Sequence, residues 1–250
     1  MRRNKIGILT TVFILALTMN SAAPTSQNSS ASLWEGLNKD LIIGELQSSL
    51  ALQPSELAEA VQFWEAKYRL HVPTWAPHYD VVTSLIRKHD CKYVCEVGVA
   101  FGTQSEHVLA NTNVKLLYSI DPYIFYPNDG FPDGAKSEYW MDVLFHITSA
   151  RLARYGIRSC LIRKKSSEAI LLIADDTLDL VYIDGDHSYE SVTHDLQAWY
   201  QKVMPGGLIV GDDYGHQFFP GLKKAVDYFV RTYHLNLTIL PGNKFVIIKQ

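Results

Sequence analysis

Residues 179–215 read "DLVYIDGDHSYESVTHDLQAWYQKVMPGGLIVGDDYG", and they decide the fold. Two runs within them, "DLVYIDG" and "GGLIVGDD", are almost unbroken Val, Ile, Leu and Tyr, as in strands covered on both faces. The intervening "SYESVTHDLQAWYQKV" is long enough for a helical crossover, so the two strands are expected to be parallel. The alternation extends outward. Upstream stand "KYVCEVGV", "TQSEHVLAN", "KLLYSID", "CLIRK" and "SSEAILLIA", and downstream a helix is expected from about Gly221 to Tyr233. The tail breaks the rule, because "LNLTIL" and "KFVIIK" are separated only by "PGN", which is too short for a crossover and predicts a hairpin. The fold class is therefore α/β: a doubly wound, mostly parallel seven-stranded sheet with an antiparallel C-terminal hairpin strand and an N-terminal helical cap.

The cap is expected over residues 33–80, where apolar residues recur at three and four positions and Pro54 with Ser55 opens a second helix. The α/β domain then occupies residues 81–250. Before the cap, Arg2, Arg3 and Lys5 precede an apolar run from Ile6 to Met19, and Ser21, Ala22 and Ala23 follow. This predicts a signal peptide or signal anchor over 1–23 and a polar linker over 24–32. The run is about 14 residues, short of the roughly 20 that span a bilayer. The expected location is the secretory pathway, either secreted or in the Golgi or ER lumen. Retained uncleaved, the segment would be a membrane anchor and the only membrane contact. Sequons at Asn28 and Asn236 fit that route.

Cys91, Cys95 and Cys160 are odd in number and form no disulfide framework, so buried thiols are expected. A net charge of -3 and a pI near 6.3 show no basic excess, which argues against nucleic acid as a partner. The expected partner is a small-molecule or glycan substrate, and homo-oligomerisation stays open.

The chemistry gathers at strand ends. In "CEVGVAFGTQSEH", Glu96 ends a strand and Gly98, Ala100 and Gly102 follow at every second position before a helix; small residues there let backbone approach a ligand. The G-x-G-x-x-G of dinucleotide sites is absent. Asp121 ends the next strand, where a carboxylate accepts hydrogen bonds from ribose hydroxyls or caps the turn before Pro122. Ser166 or Ser167 is expected to cap a helix. Asp184, Asp212 and Asp213 end two neighbouring parallel strands, and three converging carboxylates need a cation, with Mg²⁺ suited to an all-oxygen set. His187, three residues past Asp184, is either a helix-start residue or a base for a hydroxyl acidified by that cation, and Asp186 is expected to cap the turn.

Together "EVGVAFG", "SIDPY", "VYIDGDHSYE" and "GGLIVGDDY" resemble class I S-adenosylmethionine (SAM) dependent methyltransferases, specifically the small-molecule family with a D-G-D-H-[ST]-Y signature. The resemblance runs from about Lys92 onward and implies a Rossmann-like methyltransferase fold. It is similar to metal-dependent O-methyltransferases of catechols and sugars. That likeness implies SAM contacts at Glu96, Gly98, Ala100, Gly102, Asp121, Ser166, Ser167 and Asp184. It further implies metal ligands at Asp184, Asp212 and Asp213, and a base at His187. Ala100 stands where the family often has glycine. The aromatic insert over 122–155 is expected to act as a substrate lid, with Tyr189 and His216 as further substrate contacts. The expected activity is Mg²⁺-assisted O-methylation. Competing readings are a metal-independent methyltransferase, a non-catalytic SAM- or sugar-binding secreted module, and a nicotinamide oxidoreductase lacking its glycine pattern.

Overall fold

Alternate side chains of each central strand enter opposite cores, which is why the strands read as continuous apolar runs. Cys95, Val181, Ile183 and Ile209 pack on one face, while Val94, Leu180, Tyr182, Leu208 and Val210 pack on the other. The computed structural model describes residues 32–50, 53–126 and 135–250. Within them β1 (Tyr93–Val97), β2 (Leu116–Ile120), β3 (Ser159–Ile162), β4 (Leu178–Ile183), β5 (Val203–Gly211), β6 (Leu237–Leu240) and β7 (Lys244–Ile248) form one sheet. Its order is β3-β2-β1-β4-β5-β7-β6. Strands β1 to β5 pair in parallel, and the β6–β7 hairpin joins β5 antiparallel, as the short "PGN" turn requires. Strand order reverses between β1 and β4, and this switch point opens a crevice at the strands' C-terminal ends.

Helices α6 (Ser166–Ala169), α7 (Tyr189–Lys202) and α8 (Pro220–Thr232) cover the first face, with Trp199 and Phe229 at its centre. The other face is covered by α3 (Tyr79–Lys88), α4 (Thr103–Asn111) and α5 (Glu138–Ala153). The N-terminal pair, α1 (Lys39–Leu50) and α2 (Pro54–Trp75), buries Leu46, Trp64 and Tyr68 against Phe101, Tyr123, Trp140 and Ile147. Trp64 Nε1 donates to the Trp140 carbonyl at 2.7 Å, so the cap is docked on α5. Helix α2 runs beyond Leu70 and carries Pro73 in its last turn, where the missing N–H forfeits a single intrahelical bond.

Cys91 and Cys95 are buried free thiols, and Cys160 is a partly buried one. The expected leader over 1–23, the Asn28 sequon with all but the end of the linker, and residues 127–134 of the aromatic insert lie outside the described residues. Among the described residues, no helix is long and apolar enough to cross a membrane.

A buried cation fastens the cap. Arg151 is only 1% exposed; its Nη1 lies 2.7 Å from Glu106 Oε2, and its Nη2 donates to the Leu33 carbonyl at 2.6 Å. Removing Glu106 strands that guanidinium in an apolar setting. Glu106→Ala is therefore expected to lower the unfolding free energy by about 3–5 kcal/mol. Glu59→Ala, at an exposed pair with Lys136, should cost at most about 1 kcal/mol. Denaturant titration checks this, and equal losses in the two variants would contradict it.

Candidate functional site

The loop after β1 is shaped by what it touches. Gly98 has φ +90°, and a Cβ there would lie 1.9 Å from the Asp184 carbonyl oxygen. The Gly98 N–H donates to the Ile120 carbonyl at 2.9 Å and the Asp184 N–H to the Val97 carbonyl at 2.8 Å, so β1, β2 and β4 are stitched together at their ends. Gly102, with φ +71°, precedes α4, and a Cβ there would lie 2.7 Å from Thr148 Cγ2. Both glycines are thus required by close packing within the protein, whereas the sequence suggested close approach of a ligand. Ala100 adopts φ +47°, a conformation costing a non-glycine residue roughly 1–2 kcal/mol. Its carbonyl accepts from Tyr123 Oη at 2.9 Å and Thr148 Oγ1 at 3.0 Å, which holds the strained turn in place.

Asp121, just past β2, secures the same loop. Its Oδ2 accepts from the Val99 and Ala100 N–H groups at 2.9 and 3.0 Å, and its Oδ1 from the Tyr123 N–H at 2.8 Å. A carboxylate accepts about four hydrogen bonds, so about one position is left for a ligand hydroxyl. Asp121 also borders a cavity of 130 Å³ walled by Trp64, Lys67, Ala100, Phe101 and Tyr123. Tyr123 opens the insert expected to act as a lid, yet it is fully buried in the cap's core.

Glu96 faces inward beneath the loop, where it accepts from Ser105 Oγ, which also lies 2.6 Å from Ser119 Oγ. Burial pushes its carboxyl up to about 8, with Asp184 and Asp121 adding to the rise against the Ser105 bond. The capping expected of Ser166 or Ser167 is not made at α6. Ser166 Oγ instead donates to Asp195 Oδ1 at 2.5 Å and accepts from Trp199 Nε1 at 2.8 Å, two partners on α7 that outcompete a local cap. Ser167 is exposed.

At the ends of β4 and β5, Asp184, His187 and Asp213 come together, with one ligand atom from each within 4.8 Å of the others. His187 Nε2 lies 3.0 Å from Asp213 Oδ2 and 3.6 Å from Asp184 Oδ1. Neither contact has hydrogen-bond geometry, leaving Nε2 buried without a directed partner. The ring stacks on Phe219 at 4.2 Å, and His216 stacks on the same Phe219 at 5.0 Å. Burial alone would lower the imidazole's pKa, but Asp184 and Asp213 outweigh it and raise it to about 9. Asp184 is held above the usual carboxylate range by burial, despite His187; Asp213 falls below it because His187 overcomes burial.

Asp212, which the sequence placed in the ligand set, is not one of the three residues whose ligand atoms converge, but Tyr182 Oη links it to Asp184, lying 3.3 Å from Asp184 Oδ2. Asp212 Oδ2 lies 2.5 Å from Lys244 Nζ and accepts from Tyr182 Oη at 2.7 Å, and its Oδ1 accepts from the Asp213 N–H at 2.8 Å. Sequence reasoning missed both Tyr182 and Lys244. The available signal was a lysine opening the otherwise apolar strand "KFVII". Asp186 caps the turn, accepting from the Ser188 N–H and Ser191 Oγ at 2.8 Å each, while Ser188 caps α7. Tyr189 is exposed at the start of α7.

Residues 95–214 match a family described as a methyltransferase domain. R132 of Acanthamoeba polyphaga mimivirus, described as an uncharacterized protein, is 29% identical over 180 residues, which cover 68% of this chain and 76% of the viral protein. A Staphylococcus aureus structure provisionally described as a caffeoyl-CoA O-methyltransferase is similar at TM-score 0.51 and 16% identity, covering 69% of this chain and 83% of that one. The cofactor-bound Rv0187 from MTB is similar at TM-score 0.51 and 17% identity, covering 85% and 97%. At such identities the structural likeness establishes the fold, a mostly parallel seven-stranded sheet of the Rossmann-like methyltransferase type.

Glu96 makes stability depend on pH. Its folded pKa of about 8 exceeds the ordinary 4.5, so between these values the folded chain holds a proton that the unfolded chain releases. The stabilisation is complete below 4.5 and is lost as pH rises to about 8. Glu96→Gln should flatten that decline in melting temperature, and an unchanged slope would contradict it.

Proposed function

We propose that this chain is a SAM-dependent methyltransferase that methylates a hydroxyl of a small molecule or glycan with the help of a divalent cation. The methyltransferase-domain match and the shared fold support methylation with SAM as donor. One observation carries the finer reading: the cavity beside Asp121 and the Asp184–His187–Asp213 cluster lie along the same C-terminal edge of the sheet.

The residues fit both groups. Asp121 has an acceptor left for a ribose hydroxyl, and the aromatic walls of its cavity suit an adenosine. Two carboxylate oxygens converge with a buried imidazole nitrogen that has no directed hydrogen bond, a donor set that fits a divalent ion. When bound, SAM supplies an electrophilic methyl and the cation supplies acidity to a substrate hydroxyl. The chain's own residues position the reactants. Asp121 and the Ala100 turn would hold the nucleoside end, Asp184, Asp213 and His187 would hold the cation, and Phe219 holds the His187 ring in one plane. Fixed geometry of this kind is a large source of rate.

A second reading rests on the 3.0 Å approach of His187 to Asp213: without metal, His187 itself takes the hydroxyl proton. An imidazole with pKa about 9 already carries its proton at neutral pH. This reading therefore requires a rate that climbs as pH rises toward about 9 and survives chelation. The cation-assisted reading requires loss of turnover on chelation and recovery when the ion is restored.

Calorimetric titration of the full chain with SAM tests the function. Binding is expected, and Asp121→Ala should weaken it about 10- to 100-fold, as for a hydrogen bond to a charged group. Absence of SAM binding in the unmodified chain would overturn the assignment.

A further inference from the structure

We propose that Lys244 is a positioning residue that withholds Asp212 from the cation, so that His187 Nε2 becomes a ligand and the site favours nitrogen-accepting ions such as Mn²⁺ over Mg²⁺. This rests on the cation-assisted reading above.

Lys244 opens β7 and is only 2% exposed. Its Nζ lies 2.5 Å from Asp212 Oδ2 and donates to Tyr182 Oη at 3.2 Å. With Oδ1 taken by the Asp213 N–H, both Asp212 oxygens are engaged within the protein. Turning Asp212 toward the cluster would strand a buried ammonium, a costly exchange. The next residue goes the other way: Asp213 adopts φ +58°, and its Oδ2 comes to 3.0 Å from His187 Nε2. Adjacent aspartates thus turn to different partners, Asp212 to Lys244 and Asp213 to His187.

The position of the imidazole completes the set. His187 is stacked on Phe219 with an interplanar angle of 16°, and Nε2 is aimed among the carboxylates without a directed hydrogen bond. The ligand atoms that converge are therefore two oxygens and one nitrogen. Mg²⁺ favours oxygen ligands in strict octahedral geometry, whereas Mn²⁺ and its heavier neighbours bind imidazole more readily.

The test titrates the full chain with Mn²⁺ and Mg²⁺ by calorimetry and reads nitrogen hyperfine coupling on bound Mn²⁺ by pulsed electron paramagnetic resonance. Mn²⁺ is expected to bind at least about tenfold more tightly than Mg²⁺, with nitrogen coupling that His187→Gln abolishes. Lys244→Met should free Asp212 and narrow the preference about tenfold, while Lys244→Arg should retain it. If Lys244→Met does not fold, the double variant Lys244→Met/Asp212→Leu removes both buried charges and should keep the preference and the coupling. Mn²⁺ bound without nitrogen coupling, or a preference unchanged in folded Lys244→Met, overturns this proposal alone. Failure of both ions to bind overturns the cation-assisted reading as well.

Discussion

Everything at the candidate site hangs on one backbone contact, the approach of Gly98 to the Asp184–Gly185 peptide where β1 and β4 part. A Cβ at Gly98 would overlap the Asp184 carbonyl, so only glycine lets the two strand ends meet this closely. That meeting sets the distance between the loop carrying Ala100 and the turn carrying Asp184 and His187. Asp121 then ties the loop to β2 through the Val99 and Ala100 N–H groups, and the strained Ala100 turn is held by Tyr123 and Thr148. Cavity and cluster are consequences of how the parallel strands β1, β2, β4 and β5 end.

The edge concentrates acids, and the structure deals with each differently. Burial keeps Glu96 protonated near neutral pH, Asp212 is paired with Lys244, and Asp184 and Asp213 share His187. Asp121 accepts from three backbone N–H groups, with about one acceptor position left. Buried carboxylates without such partners would cost several kcal/mol each. The last two acids are offset by His187, whose pKa they raise to about 9.

The sheet was legible because its strands are apolar on both faces and its crossovers are long, while "PGN" is too short for anything but a hairpin. The clustering of Asp184, His187 and Asp213 was legible because strand ends on one edge must meet. The partition between Asp212 and Asp213 was not, since it depends on a lysine 32 positions away and on a left-handed backbone at Asp213. Ser166 looked like a cap because its two partners on α7 are distant in sequence. The role of Trp64 and Lys67 in walling the cavity likewise follows from docking of the cap on α5, which periodicity alone does not reveal.

The most direct test of the account is a crystal structure of the full chain grown with S-adenosylhomocysteine. The account predicts its ribose against Asp121, its adenine in the cavity beneath α2, and its amino-acid end above the Ala100 turn, directed toward Asp184. A nucleoside bound elsewhere, or none at this edge of the sheet, would contradict it.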